Sequence, residues 1–462
     1  MGQNLRGICV VDVGYTNTKA ILFSPDLKVL AERKVASAHR PGTDYKIIDP
    51  EPLIAFLHQA LLELDQILPI DCVVPCAHGA AMALLKDDGS LAFPVMDYAS
   101  EPPEAIVEAY RKRQPPFAEV YCDRLPMALT HGLQIFWQAR IDPERFAEVA
   151  TITTWIQYIA FRLCGVAATE ISSMACQTQL IDVNTGAPSS LAQREGWGDK
   201  YAPLKKAWDV LGYVKPDFEL RGEGRVLAGV HDSNANYLRY LAADILDFSL
   251  LSTGTWSICF NASADISRLD PARDTNTNTS VMGRAVACSR FFAGKELEIL
   301  AQGADAGIAR IDVVQALMDQ GTLALPSFAY SSGPMPGSGF RGKVIGPPPA
   351  NEVERASLAA LYCAQMVSLQ LDAVQSQNTI IVDGPFSQNH VFLAVLAALR
   401  PGQAVKASAL KDGTAVGAAV LARMESGKIP RIPLALSDVE PAALTGLVDY
   451  DALWKKEIAE VI

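Results

Sequence analysis

The sequence predicts two α/β domains, each opening with the same kind of β-hairpin. Three observations carry this. The chain has 462 residues, half of them apolar, which is too long for one ordinary core. Strand-like runs alternate with segments of helical apolar spacing. Finally, VVDVGYTNTKAI (10–21) and SLLSTGTWSICF (249–260) share one layout: strand, polar turn with a central glycine, returning strand. Gly14 of the first matches Gly254 of the second. A chance likeness of two hairpins is the rival reading. The repeat sets a boundary near 243–248 and gives domains over 1–245 and 246–462.

The elements follow in order. GICVVDVG, TKAILFSP and KVLAERKVA read as strands joined by short turns, an antiparallel meander over 7–37. PLIAFLHQALLELDQIL (52–68) has the apolar spacing of a helix. DCVVPCAHG (71–79) reads as a buried strand that ends in a polar loop. Residues 142–164 read as two helices. RVLAGVHDSNANYLRYLAA (225–243) is strand, loop, helix. LLSTGTWSICFNA (250–262) is strand, Gly turn, strand. Residues 326–350, rich in Gly, Pro and Ser, read as a long surface loop. Residues 352–376 form a long helix, TIIVDGPFSQNHVFLAVLAALR (379–400) is strand, loop, helix, and DGTAVGAAVLARM (412–424) is a small-residue helix.

Composition narrows the function. Net charge is −11 and no basic run occurs, which argues against a nucleic-acid partner. No apolar run reaches the ~18 residues of a membrane span. The start MGQNLRGICVV shows no apolar leader segment and fits a myristoylation signal poorly. Nine cysteines at irregular spacing fit reduced thiols and a cytoplasmic location. Cys72 and Cys76, four apart with no second pair near, read as buried small side chains rather than a metal site.

Four motifs carry chemistry. The first is the turn after Asp12. Gly14 permits a turn that presents backbone N–H groups, and Thr16, Asn17, Thr18 and Lys19 add side-chain donors. Such a turn can hold phosphoryl oxygens. An acid facing a phosphate needs a cation between them, and Mg²⁺ suits both. The plainer alternative is an ordinary polar hairpin with a solvated acid. The second motif is GVHDSNANYL (229–238). Asp232 at a helix N-terminus has its charged form favoured and can accept a proton from a hydroxyl. It can equally cap the helix while His231 packs. The third is LLSTGTWS (250–257), where Thr253, Gly254 and Thr255 form a second phosphate-cradling turn, or a hairpin with a buried Trp256. The fourth is VDGPFSQNHVFLAVL (382–396), a strand, a Gly turn at Gly384 and a helix. Pro385 removes a donor there and stiffens the turn. One decoy is set aside: Gly337 to Lys343 fits a P-loop, but Val344 replaces the Ser/Thr and no helix can follow.

Asp12-Val-Gly14-Tyr-Thr16-Asn-Thr18-Lys19 resembles the first phosphate motif of sugar kinases with the actin/hexokinase-like ATPase fold. The order of the later motifs resembles the FGGY carbohydrate kinases, with matches from residue 8 to residue 421. The resemblance implies two ribonuclease H-like domains with a cleft between them. It implies ATP and Mg²⁺, with the sugar on the N-terminal domain and ATP mainly on the C-terminal one. Asp232 would be the catalytic base and His231 would touch the sugar. His78 and Gly79 match the loop that places a polar group on the sugar, and Trp137 falls on a helix lining the same region, although a core tryptophan is as good a reading. Gln177 and Gln179 share that ambiguity.

On the sugar side, where the family has Trp-x-Asp-x-Arg, this chain has FPVMDYAS, with Asp97 as a sugar contact and Tyr98 but no Trp or Arg, which implies a divergent sugar pocket. Where it has a run of glycines, this chain has Asp383-Gly384-Pro385-Phe386, with Gln388 following. Nucleotide contacts would come from both Gly turns, and metal contacts from Asp12 and Asp232. The Ser-Thr-Gly-Thr-Trp turn is most like the deoxy-ketohexose kinases of the family, those for L-fuculose and L-rhamnulose. Kinases for a pentulose or polyol, and an inactive sugar- or nucleotide-binding regulator, are the alternatives on the same fold. An actin-like filament protein is a third class. The partner is a small sugar, with no nucleic acid or membrane, and a homodimer is compatible with the sequence.

Overall fold

The structure, a computed structural model, describes residues 6–329, 333–408 and 413–461. The chain divides into two compact units. One contains Met1–Asp244, Thr277–Ala285 and Asp412–Ile432. The other contains Ile245–Asn276, Val286–Lys411 and Pro433–Ile462.

In the first unit, Gly7–Val13, Asn17–Phe23 and Val29–Ala36 form the expected antiparallel meander. Ile70–Ala77 joins parallel to Gly7–Val13, then Arg225–Leu227 parallel to it, with Val210–Tyr213 antiparallel at the edge. Val230–His231 pairs with the far end of Ile70–Ala77. Successive side chains of a strand point to opposite faces, and the core follows that period. Cys9, Val11 and Val13 meet the helices Pro50–Ile67 and Trp155–Cys164 on one face. Ile8 and Val10 meet Asp232–Ala242 and Gly413–Leu421 on the other. Each fully buried Leu of Pro50–Ile67 (Leu57, Leu61 and Leu64) contributes about 2 kcal/mol.

The register decides where the chemistry can sit. Asp12 is level with Cys76, and so is Val230. Three parallel strands therefore end along one edge, and His78-Gly79 and His231-Asp232 follow from that edge. Ligands of such sheets bind beyond the carboxyl ends of the strands.

Small residues close this unit. A β-carbon on Gly417 would lie 1.8 Å from the Ala235 carbonyl, and one on Gly413 would lie 2.0 Å from the Arg239 guanidinium. The helix Gly413–Leu421 thus lies against Asp232–Ala242 because it carries glycine where they meet. Asp412, with which the expected helix began, lies outside the described residues.

The second unit repeats the plan. Phe248–Thr253 and Ser257–Asn261 form the hairpin, with Ala285–Phe291 beside it. Thr379–Asp383 and Val405–Ser408 run parallel on the other side, and Leu436–Asp438 closes the edge. In both units an antiparallel hairpin has a parallel strand on its first arm, which is the repeat read from the sequence. The helix Glu352–Ala373 is capped by Asn351, whose side chain accepts from the Glu354 N–H.

Two readings need correction. Residues 142–164 hold a strand, Thr151–Thr154, between the helices Pro143–Ala147 and Trp155–Cys164. The run Thr-Ile-Thr-Thr is β-branched, which favours extended chain. The segment 326–350, read as a loop, contains a strand, Lys343–Ile345, paired with Leu323–Leu325, and its residues 330–332 lie outside the described set. Lys343 is thus a strand residue and the next helix begins at Glu352, as expected of a decoy. Of MGQNLR only Arg6 is described. All nine cysteines are free, and all but Cys164 are buried. No helix among the described residues is long and apolar enough to cross a membrane.

Candidate active site

Asp232 is the first residue of the helix Asp232–Ala242, with His231 as its cap. Its side chain is 35% exposed. The Ser233 N–H lies 2.6 Å from Asp232 Oδ1 and 3.1 Å from His231 Nδ1. His231 Nδ1 itself lies 3.0 Å from Asp232 Oδ1. In the neutral ring Nδ1 accepts from Ser233; in the charged ring it donates to the carboxylate. Burial pushes the Asp232 pKa up, but His231, His78 and the Ser233 N–H outweigh it and hold the carboxyl below its ordinary range. Burial opposes charge on His231, yet Cys176 and Asp232 beside it raise its pKa well above the usual value. The site thus holds an ionised acid at a helix N-terminus, open to solvent on one side.

The wall beside it is aromatic. Tyr15 lies 4.4 Å from His39, 4.7 Å from Tyr98 and 6.5 Å from His78, centroid to centroid. Tyr98 meets His78 edge-on at 5.7 Å. Both Tyr98 and His78 feel the Asp232 charge. Burial pushes the His78 imidazole down to about 4, so the ring is neutral at neutral pH. Gly79 packs against the His231 ring, and its carbonyl accepts from His131 Nε2.

Asp97 lies behind this wall rather than in it. It is fully buried, and its oxygens accept from His39 Nδ1 at 2.8 Å, Tyr15 Oη at 3.4 Å and the Ala99 N–H at 2.8 Å. Trp137 is a core residue, 1% exposed and packed edge-on with Tyr45. Its placement supports the plainer of the two readings given above, and it drops from the sugar contacts. Gln179 is likewise internal, bonded to Tyr110 and the Cys122 carbonyl.

The first turn differs in detail from the expectation. The Gly14 N–H is spent inside it, on the Asn17 carbonyl at 2.9 Å. Thr18 is buried and shares a bond with Ser37, whose hydroxyl donates to the Gly14 carbonyl at 2.7 Å. Lys19 pairs with Glu32 on the neighbouring strand at 3.3 Å. Outward-facing groups are therefore those of Thr16, which is exposed, and Asn17, which is half-buried. Burial raises the Cys76 thiol pKa, and the Asp12 and Asp232 charges add to that rise; Asp12 and Val230 are both level with Cys76 in the strand register.

In the second unit, the Gly254 N–H is spent on the Trp256 carbonyl at 2.8 Å, and Trp256 stacks on Phe292 at 4.3 Å. Thr255 is exposed. Thr253 joins this turn to the next: its hydroxyl donates to the Asp383 carbonyl and accepts from the Phe386 N–H at 3.2 Å. Gly384 has φ 83° and ψ −163°, a conformation open essentially to glycine. A β-carbon there would sit 2.0 Å from the Thr253 carbonyl. Pro385 begins the short 3-10 helix Pro385–Gln388, where a missing N–H costs nothing. Gln388 is exposed, and a cavity of ≈ 410 Å³ opens beside it against His390, Leu393 and Ala407.

The family model for the carbohydrate kinase FGGY C-terminal domain matches residues 246–430. The chain resembles the crystal structure of a carbohydrate kinase from Novosphingobium aromaticivorans at 32% identity and TM-score 0.89, over 97% of this chain and 100% of that one. The chain belongs to the FGGY carbohydrate kinase family. It is an ATP-dependent sugar kinase with two actin/hexokinase-like ATPase domains. A xylulose kinase from Rhodospirillum rubrum (19% identity, TM-score 0.81, 99% and 98% covered) shares the fold with this kinase. So does a Plasmodium falciparum glycerol kinase solved with ADP (14%, 0.80, 99% and 98%). No curated protein matched its sequence.

His39, Ser37, Tyr15, Cys176 and His131 were missed as site residues by sequence reading. Tyr15 was visible as part of the first turn. The others are set by strand pairing and long-range packing, and only their type could have flagged them.

Proposed function

We propose that this kinase phosphorylates a primary hydroxyl of a small ketose, with Asp232 as general base. The observation that carries the reading is the ionised Asp232 carboxylate at a helix N-terminus, on the same sheet edge as Asp12 and the Thr16 turn. Asp232 accepts the hydroxyl proton as the oxygen attacks the γ-phosphorus. A depressed carboxylate is a weak base, but the loose transition state of phosphoryl transfer asks mainly for positioning and charge stabilisation. His231 and the His78-Gly79 loop position the sugar. Donors of the Thr16–Asn17 turn stabilise the transferred group. In the second unit, the Gly254–Thr255 and Gly384–Gln388 turns hold the nucleotide, with Thr253 fixing both.

Asp12 and Asp232 suit Mg²⁺, which takes one or two carboxylates and completes its shell with water and phosphate oxygens. When bound, it would offset the charge of the phosphates. No cluster of three ligating side chains occurs among the described residues, and Mg²⁺ needs none.

A deoxy-ketohexose such as L-fuculose or L-rhamnulose is the favoured substrate. The wall of Tyr15, Tyr98 and neutral His78 offers apolar ring faces to a deoxy carbon, and the Ser-Thr-Gly-Thr-Trp turn points the same way. A pentulose or polyol kinase is the second reading, supported by the shared fold of the xylulose and glycerol kinases.

ADP release with Mg-ATP across ketoses, aldoses and polyols tests this, with Asp232→Ala alongside. One sugar should give a signal that the variant loses by at least about a thousandfold, while ADP binding stays within about twofold. A variant that keeps the activity would remove Asp232 from the role of base.

A further inference from the structure

We propose that His39 is a positioning residue that locks the phosphate-binding turn to the sugar-side wall, and that it does so as a charged imidazolium. The proposal rests on the reading of the Thr16 turn as a phosphate cradle.

Both ring nitrogens of His39 are engaged. Nδ1 lies 2.8 Å from Asp97 Oδ2, and Nε2 lies 2.7 Å from the Tyr15 carbonyl oxygen. The carbonyl can only accept. Asp97 also accepts from Tyr15 Oη and the Ala99 N–H, and as a carboxylate it too can only accept. Both bonds to His39 therefore exist together only when both ring nitrogens carry hydrogen. A neutral ring must surrender one of them.

The bond to Tyr15 has a directional effect. A trans peptide is planar, so its C=O and N–H point opposite ways. Holding the Tyr15 carbonyl on His39 fixes the Thr16 N–H on the other side of that plane. The Ser37 N–H holds the next carbonyl, that of Thr16, at 3.0 Å. The two contacts set the orientation of the turn that Gly14 opens. The other bond, to Asp97, fixes the start of the loop carrying Tyr98. One ring thus ties a phosphate-side element to a sugar-side element.

The groups facing His39 are Tyr15 from the turn, Asp97 from the wall loop and His78 from the strand-end loop, whose own titration His39 affects. Along its own hairpin the charged neighbours are Arg40 and Asp49, paired with each other at 3.2 Å. Among these charged groups, Asp97 is the anion that hydrogen-bonds the ring.

The test is steady-state kinetics of the full chain against pH for wild type, His39→Phe and Asp97→Asn. Phenylalanine keeps a ring against Tyr15 and loses both donors. The proposal expects the KM values for ATP and for the sugar to rise together by roughly tenfold in His39→Phe. It expects an alkaline fall in wild-type kcat/KM that is absent in His39→Phe. In Asp97→Asn, which removes the anion but keeps an acceptor, that fall should move to lower pH. The opposing result is a folded His39→Phe with both KM values and the pH profile unchanged, or an Asp97→Asn profile superimposable on wild type. If His39→Phe does not fold, the Asp97→Asn profile alone decides. Loss of activity in Asp232→Ala with no effect of His39→Phe would sink this proposal and leave the kinase site standing. A fully active Asp232→Ala would instead undo the site reading.

Discussion

Gly79 and His231 meet so closely that no side chain fits between them. A β-carbon on Gly79 would lie 1.9 Å from the His231 ring. The loop that follows the Ile70–Ala77 strand therefore carries glycine where His231, the partner of the proposed base, occupies the space. Gly79→Ala should push the imidazole off Asp232 and lower kcat on the order of a hundredfold, as ångström-scale displacements do. The check is a double-mutant cycle with His231→Ala. The cost of Gly79→Ala should largely vanish once the ring is gone. Equal costs in both backgrounds would place the effect elsewhere.

His131 gives stability a pH dependence. Burial lowers its pKa to about 4, against the pull of the Gly79 carbonyl. The unfolded imidazole titrates near ~6.5. As pH falls, the unfolded chain takes up the proton first. The contribution is thus complete above ~6.5 and is lost progressively down to about 4, by at most about 3 kcal/mol. Urea unfolding between these limits should show a slope that His131→Gln reduces. An unchanged slope would show that other groups set it.

Gly384→Ala should destabilise the second unit by about 2 kcal/mol or more, since it combines a glycine-only conformation with a clash on the Thr253 carbonyl. Because Thr253 holds both Gly turns, ADP affinity should fall as well. Isothermal titration of the folded variant at low temperature reads that loss. Wild-type affinity would show that this turn does not touch the nucleotide.

Trp137→Phe should cost about 1–3 kcal/mol of stability by leaving a cavity beside Tyr45. The sugar KM should not change. A KM raised several-fold in a stable variant would return Trp137 to the site.

The fold was largely legible because its signals are local. Alternation in 7–37, the helical spacing of 52–68 and the repeated hairpin each need only a short window of sequence. Asp232 and the Gly14 turn were legible for the same reason, since strand end, acid and helix start are neighbours in the chain. What the sequence hid depends on register. Asp97 looked like a sugar contact by its position in a motif, but strand pairing puts His39 over it. The Gly14 N–H looked like a phosphate donor, but the turn closes on itself through Asn17. The strand Thr151–Thr154 was hidden between two helical segments too short to reveal a break. The unit boundaries were also only half visible, since nothing local shows that 277–285 and 412–432 return to the first unit.

That return has a consequence for the order in which the enzyme is made. The helix bearing Asp232 leaves the ribosome early, yet the Gly413–Leu421 helix that packs along it is translated some 170 residues later. Until then the apolar face holding Leu238 and Ala242 lacks its cover. The first unit is thus begun first and completed nearly last. A chain stopped short of residue 413 would carry every residue proposed for sugar binding and proton transfer, and would still lack the helix packed along the one that bears Asp232.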